Sequence, residues 1–342
     1  MIGHLNNSLL DDLCYIFQHT ASLWEPLKKQ HIFMTGGTGF FGCWLLESFI
    51  YANEILKLNA KVTVLTRNYG AFLKKCPHLA KHPSIHFYEG NVTQFKFPTE
   101  QFSHMIHAAS DTHDHGQDDF LETIIKGTLR VLTFAKYAGT KQLLFISSGA
   151  IYGSQPTHIS HLSEEDETPY HPISDYGQAK QAAEQLCHQF GKTHAIAIKI
   201  ARCFAFVGPY LPLDKHFAIG NFIHDAINEK PILIKGDGST LRSYLYAADL
   251  AIWLWTILFK GQALYPYNVG SDEAITLTDL AHLIANHCNQ PLPVTTMKTR
   301  DPLKPIERYI PKIARAKALG LKQGKTLQDA ILLTKKWYHL SN

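Results

Sequence analysis

The chain has 342 residues, 45% hydrophobic and 18% charged, a globular balance that excludes a disordered chain and supplies core for one large domain or two lobes. Its formal charge of +4 is spread without basic blocks, so it gives no nucleic-acid footprint and favours at most an anionic small molecule. Six cysteines (Cys14, Cys43, Cys76, Cys187, Cys203, Cys288) form no C-x-x-C pair, and are expected as reduced thiols of a cytoplasmic protein without disulfides.

Residues 1–30 place Leu9, Leu10, Leu13, Ile16 and Phe17 at helical spacing with Asp11 and Asp12 between them, which predicts an amphipathic extension packed on the fold rather than a signal peptide. No apolar run reaches membrane-spanning length unbroken, so no membrane partner is expected. From residue 31 short apolar runs alternate with amphipathic helices. The strands fall at His31–Thr35, Lys61–Thr66, Ser84–Tyr88, His104–Ala108, Gln142–Ser147 and His194–Ala201, and helices at Phe40–Ile55, Leu121–Tyr137 and Asp175–Phe190. Such alternation predicts an α/β fold with a Rossmann-type, doubly wound parallel sheet over 31–202. Past residue 202 the texture turns to Pro- and Gly-rich loops and shorter helices, predicting a smaller α/β substrate lobe over 203–342, interleaved with the last core elements. Within it, Trp253 and Trp255 of "AADLAIWLWTILF" are expected in the core.

The first strand runs into "TGGTGFFG". Gly37, Gly39 and Gly42 fit G-x-G-x-x-G, and Gly36, Gly39 and Gly42 fit G-x-x-G-x-x-G, directly before a helix. There the turn can tighten, main-chain N–H groups can reach a pyrophosphate, and the positive end of the helix dipole faces it. The second strand ends in Thr66, Arg67 and Asn68, where an NAD site usually carries an acid for the adenosine ribose. Arg67 is either a solvated strand-end residue or the partner of a 2′-phosphate, and the cofactor expectation is NADP or NAD, leaning to NADP.

Tyr176 and Lys180 stand four apart at the start of a helical pattern, on one face. An ammonium beside a phenol lets it trade a proton with a substrate oxygen near neutral pH, and Ser148, just past a buried strand, is placed to hydrogen-bond the same oxygen. The segment "SDTHDHGQDD" gathers His113 and His115 with Asp111, Asp114, Asp118 and Asp119; with 20 histidines in the chain it reads as a substrate-side loop, and no metal is expected.

Together these motifs resemble the NAD-dependent epimerase/dehydratase family of extended short-chain dehydrogenase/reductases, whose members act mostly on nucleotide sugars. The likeness runs from about His31 to Leu321, and implies a catalytic trio of Ser148, Tyr176 and Lys180. It implies cofactor contacts from Gly36, Gly37, Thr38, Gly39, Phe40, Phe41, Gly42, Thr66, Arg67, Asn91, Val92, His107, Ala108 and Ala109, with Tyr176 and Lys180. Ser110, Gly149, Asn221, Arg242 and Arg300 are implied for the substrate, the two arginines for its diphosphate. A homodimer through the helices at Leu121–Tyr137 and Asp175–Phe190 is implied as well. The chain departs from the family's pattern at Thr66 (usually an acid), Ile124 and Ala205 (usually asparagines) and Asn91 (commonly an aspartate).

The resulting expectation is hydride transfer at a sugar carbon, C4 first, by a 4-keto nucleotide-sugar reductase; a 4-epimerase shares the machinery and is the alternative. Dehydration and decarboxylation are disfavoured because Gly149 and Ala150 stand where those enzymes carry a carboxylate. An idle dinucleotide-binding regulator is the competing class, and the intact trio argues against it.

Overall fold

In the computed structural model, residues 7–109, 118–165, 172–215, 217–288 and 290–341 are described. The core follows the order α1 (Leu10–Thr20), β1 (His31–Thr35), α2 (Phe40–Ile55), β2 (Lys61–Thr66), α3 (Tyr69–Lys75), α4 (Pro77–Ala80), β3 (Ile85–Glu89), β4 (His104–His107), α5 (Asp118–Tyr137), β5 (Gln142–Ser148), α6 (Asp175–His194) and β6 (Ala197–Cys203). The second part comprises β7 (Phe206–Val207), α7 (Ala218–Ile227), β8 (Ile232–Ile234), β9 (Leu241–Arg242), β10 (Leu245–Tyr246), α8 (Ala247–Lys260) and β11 (Pro266–Val269). It ends with β12 (Ile275–Thr276), α9 (Leu277–Ala285), β13 (Val294–Thr296), β14 (Arg308–Tyr309), α10 (Ala314–Ala318) and α11 (Leu327–Ser341).

Seven strands form one parallel sheet in the order β11-β6-β5-β4-β1-β2-β3. Its strands read as continuous apolar runs because both faces are covered. Alternate side chains divide between two cores: Ile32, Met34, Val62, Val64, Ile106 and Leu144 lie with α1, α2 and α8, whereas Phe33, Leu65, Met105, Leu143 and Phe145 lie with α5 and α6. Trp253 and Trp255 are fully buried in the first of these. The chain leaves β1 toward β2 on one side and returns at β4 on the other, so the order reverses between β1 and β4. In open α/β sheets the crevice at such a reversal, beyond the carboxyl ends of the strands, is where ligands bind.

One strand bound needs correction, and one strand of the sheet is additional to those expected. The sixth strand begins at Ala197 rather than His194, because α6 runs on to His194 and closes on Ala195 in the left-handed region (φ 50°). A seventh strand, β11, also joins the sheet from beyond residue 202, paired with β6 from Pro266↔Ile200 to Val269↔Cys203. Four residues, "PYNV", carry too little periodicity to stand out from the surrounding loops.

The N-terminal segment forms the expected amphipathic helix. α1 packs on α8 and α2 through Leu13 and Ile16, both buried. Polar groups fix it in place: Tyr246 donates to Asp12 at 2.5 Å, and Tyr15 donates to Asp249 of α8 at 2.8 Å.

Candidate active site

The turn between β1 and α2 is built on contacts that only glycine permits. Gly36 has φ +73°, and a Cβ on it would lie 2.5 Å from the carbonyl carbon and oxygen of Ala108. A Cβ on Gly42 would lie 2.4 Å from the backbone of Gly37, and one on Gly37 would meet Val64 at 2.7 Å. Gly39 is different, since its nearest neighbour on that side is the Gly36 carbonyl at 3.4 Å. It precedes α2 without any side chain capping the helix, so the N–H groups of the first turn, at Phe40, Phe41 and Gly42, have no side-chain acceptor at the cap.

Thr35 ties this turn to the chain leaving β4: its Oγ1 accepts from the Ala109 N–H at 3.2 Å and hydrogen-bonds His107 Nδ1 at 2.7 Å. The other ring nitrogen of His107 meets Thr128 of α5 at 3.1 Å, and burial first, then the nearby Lys180 charge, pushes the imidazole down to about 3. The His107 side chain is thus a neutral strut between β1, β4 and α5. At the end of β2, Thr66 is buried, Arg67 is exposed, and Asn68 caps α3 by accepting from Ala71 N–H at 2.9 Å. The acid missing from β2 has a neighbour in Glu89, which pairs in register with Thr66 and accepts from the Tyr69 N–H at 3.2 Å. Asn91 is exposed and its Oδ1 serves its own loop, accepting from Thr93, while Val92 packs on Gly127.

β5 delivers Ser148 to the same end of the sheet. Its Oγ accepts from the Ala150 N–H at 3.1 Å, which caps the short 3-10 turn Gly149–Tyr152. Ser174 caps α6 by accepting from Gly177 N–H at 3.1 Å, so Tyr176 sits in the first turn. A Cβ on Gly177 would lie 2.5 Å from the Ala150 carbonyl oxygen, so α6 rests directly on the 149–152 turn. That glycine, between the phenol and the lysine, lets the first turn of α6, which carries Tyr176, rest on the turn that follows Ser148. Lys180 is 1% exposed; its Nζ donates to the Ile146 carbonyl at 2.8 Å and lies 5.8 Å from the centre of the Tyr176 ring. Burial lowers its pKa to about 8. Behind the trio, Arg202 grips the Glu184 carboxylate at 2.8 Å and donates to Tyr152 at 2.9 Å, while Ser147 donates to Glu184 at 2.5 Å. Removing one partner of such a buried pair costs about 3–5 kcal/mol.

The opposite wall comes from the second part of the chain. Tyr309 of β14 stands in register with Arg242 of β9, and the Arg242 guanidinium lies 5.9 Å from the Tyr309 ring. The Phe204 ring packs on Tyr309 at 4.7 Å between centres. A Cβ on Gly149 would meet the Tyr309 hydroxyl at 2.5 Å and the Phe204 ring at 2.8 Å. Ser148, Gly149, Tyr176, Phe204, Arg242 and Tyr309 therefore converge at the carboxyl edge of the sheet. Asn221 is half-buried on α7, and Arg300 is exposed beside Asp237. Ser110 and the residue 111–117 part of the His/Asp cluster lie outside the described residues. Sequence reasoning missed Tyr309, Phe204 and Gly177. The first two carry no spacing signal because 105 positions separate them.

Over residues 32–270 the chain matches the family model described as NAD dependent epimerase/dehydratase family. The chain belongs to the NAD dependent epimerase/dehydratase family. Among curated members it is similar to a UDP-glucuronic acid decarboxylase 1 of Arabidopsis thaliana, 27% identical over 263 residues that make up 75% of this chain and 58% of that protein. It is 30% identical to a dTDP-D-glucose 4,6-dehydratase of Dictyostelium discoideum over 279 residues, covering 77% of this chain and 63% of that one. The chain thus spans less than two thirds of the length of these two relatives. In fold it is similar to a UDP-glucuronic acid 4-epimerase of Bacillus cereus, solved with UDP-glucuronic acid and NAD, at a TM-score of 0.77 and 19% identity, covering 91% of this chain and all of that one.

The residues present fit the dinucleotide that the family name implies. Gly36, Gly37 and Gly42 leave bare main chain at the end of β1, no side chain caps the first turn of α2, the Lys75 ammonium donates to the Thr38 carbonyl at 3.2 Å beside it, and Lys180 is held inside the sheet edge near Tyr176. Among the described residues no group of three His, Cys, Asp or Glu is placed to hold a metal ion, and all six cysteines are free. No described helix is long and apolar enough to cross a membrane.

Proposed function

We propose that this chain is an NAD-dependent nucleotide-sugar 4-epimerase. One observation supports the reading: Lys180 lies 5.8 Å from the Tyr176 ring at the sheet end that carries Ser148, while the positions after Ser148, Gly149 and Ala150, hold no carboxylate. A dinucleotide held at the Gly36–Gly42 turn and beside Lys180 would supply reversible hydride exchange at the sugar carbon. Tyr176 moves the proton of the hydroxyl on that carbon, Ser148 donates a hydrogen bond to the same oxygen, and the Lys180 ammonium favours the phenolate form of Tyr176. Arg242 is the side chain we assign to the substrate diphosphate, since a guanidinium fork matches phosphate oxygens and this one lies over the Tyr309 wall.

Elimination of water or loss of carbon dioxide needs a further acid or base near the sugar, and neither Gly149 nor Ala150 supplies one. The expectation of a reductase and the lean to NADP rested on Arg67 and on the missing acid at Thr66. Glu89, standing beside Thr66, supplies an acid for a ribose hydroxyl and would repel a 2′-phosphate, which favours NAD. The similar 4-epimerase structure also contains NAD. We further propose the homodimer through α5 and α6, where Leu129 and Tyr137 are 48% and 56% exposed.

The test is incubation with NAD and a panel of UDP- and dTDP-hexoses and hexuronic acids, followed by mass and stereochemistry of the product. The expected product has the mass of its substrate, is inverted at C4, and forms without net change in the dinucleotide. Net consumption of reduced dinucleotide, or a product lighter by water or carbon dioxide, defeats the proposal.

A further inference from the structure

The four-residue step from Tyr176 to Lys180 continues to Glu184, so the three side chains share one face of α6. Successive residues of β5 receive that face. The Ile146 carbonyl accepts from Lys180 Nζ at 2.8 Å, Ser147 Oγ donates to the buried Glu184 carboxylate at 2.5 Å, and Ser148 comes next. From β6, Arg202 grips the same carboxylate through Nη2 at 2.8 Å and Nε at 3.1 Å. Its Nη1 donates to the Tyr152 hydroxyl, which donates to Asn268 of β11 at 2.7 Å. Asn268 in turn donates to the carbonyls of Leu162 and Lys312 at 2.9 and 3.1 Å. One run of hydrogen bonds thus joins α6 to β5, β6, the 149–152 turn and the second part of the chain. Apolar side chains of the same volume would hold α6 on the sheet at no loss of stability, since a buried ion pair scarcely repays its own desolvation. What they lack is direction. Hydrogen bonds fix angle as well as distance, and two of them a turn apart on α6, one made by Lys180 and one accepted by Glu184, fix the helix along β5 and about its own axis.

We propose that Glu184 is a positioning residue: clamped between Ser147 and Arg202, it sets where α6 stands along β5 and thereby where Tyr176 and Lys180 meet the sugar oxygen that Ser148 serves. The inference rests on the proposed function and deepens it. Glu184 stands a turn beyond Lys180 on α6 and acts on the reaction only through the helix. The demand on its placement is exacting, because a displacement of about 1 Å at the reacting groups can cost about a hundredfold in rate.

The experiment compares the parent with the double variant Glu184→Met/Arg202→Met, each as the full chain with bound NAD. The two methionines remove both charges together, leave neither one buried alone and refill the space, an exchange that is often neutral or stabilising. The melting temperature is expected to match the parent's, while kcat falls about ten- to a hundredfold and KM for the nucleotide sugar stays the same. Parent-like kcat in the folded variant would overturn the proposal, since the pair then only holds the helix down. So would a loss carried by KM, because a displaced trio leaves the substrate's own contacts intact. Should the double variant not fold, Ser147→Ala, which keeps the ion pair, takes its place: kcat is expected to fall about three- to tenfold, and an unchanged value overturns the proposal. If the parent itself turns over no nucleotide sugar, the proposed function falls and the Glu184 inference is read instead from a crystal structure of the variant that folds. There Lys180 Nζ is expected to have left the Ile146 carbonyl as α6 shifts; a helix in place with that bond intact overturns it.

Discussion

The two sides of the cleft are made by different means. The β1–α2 turn is a backbone construction: Gly36, Gly37 and Gly42 are compressed against Ala108, Val64 and each other, and no side chain caps the helix that follows. The facing wall is a side-chain construction in which Phe204, Arg242 and Tyr309, from separate short segments, meet over Gly149. A backbone site tolerates almost nothing in place of its glycines, whereas a side-chain site can be retuned one group at a time. In such an arrangement cofactor chemistry stays fixed while substrate choice can drift.

The sharpest way to break the comparison is at the residue both sides serve. Tyr176→Phe removes the only phenolic proton among the trio and should lower kcat by about a hundred- to ten-thousand-fold, since general acid–base help is worth that much. NAD affinity and thermal stability should be unchanged. Near-normal turnover in that variant would sink the proposed chemistry.

The second test is electrostatic. Burial puts the Lys180 ammonium at about 8, close to neutrality for a lysine. As pH rises through that value the charge that favours the Tyr176 phenolate disappears, so kcat/KM should fall on the alkaline side with a midpoint near it. Lys180→Arg, which stays charged, should retain low activity without that limb. A wild-type profile flat to pH 10 would show that the ammonium is not needed.

A third measurement separates tight glycines from permissive ones within the backbone side. Gly42→Ala forces a Cβ to within 2.4 Å of the Gly37 main chain and should cost about 1–3 kcal/mol of stability. Gly39→Ala meets nothing closer than 3.4 Å, has an ordinary negative φ of −85°, and should stay within about 0.5 kcal/mol of the parent. Similar melting temperatures for the two variants would mean that the turn yields more than its contacts imply.

The same contrast explains what could be read in the sequence. β1, β2 and α2 have the bounds that periodicity predicts, because fully buried strands and a mostly buried helix leave unbroken apolar runs. The glycine spacing and the Tyr176–Lys180 step were legible because one local element imposes each. Tyr309 and Phe204 were not, since only tertiary packing brings them to Gly149, Tyr309 from β14 in register with β9 and Phe204 from the turn after β6. His107 lies on a segment that touches the glycine turn, and its ring is taken up by Thr35 and Thr128, a partnership that no spacing announces. The four residues of β11 were hidden for want of length.

The smallest expected effect concerns neither wall directly but α1, which braces α8 behind the substrate side. Asp12 lies 6% exposed between α1 and α8, and burial raises its carboxyl to about 6 against the pull of the Tyr246 hydrogen bond and the Lys325 charge; Asp11 and Asp249 add repulsion. The folded state therefore holds the Asp12 proton more tightly than the unfolded chain, whose aspartate titrates near 3.8. Its stabilising contribution is full below that lower value and is lost as pH rises through about 6. Asp249, raised by burial in the same way but held by Tyr15 and by the N–H groups of Gly324 and Lys325, pushes in the same direction. Protection of the α1 amides against hydrogen exchange, corrected for intrinsic rates, should thus decline between pH 5 and 7 while β4 and β5 stay protected. Asp12→Asn keeps a polar group opposite Tyr246 without the charge and should flatten most of that decline. If the asparagine variant loses protection with pH as steeply as the parent, the titrating group lies elsewhere and α1 is held by its apolar face alone.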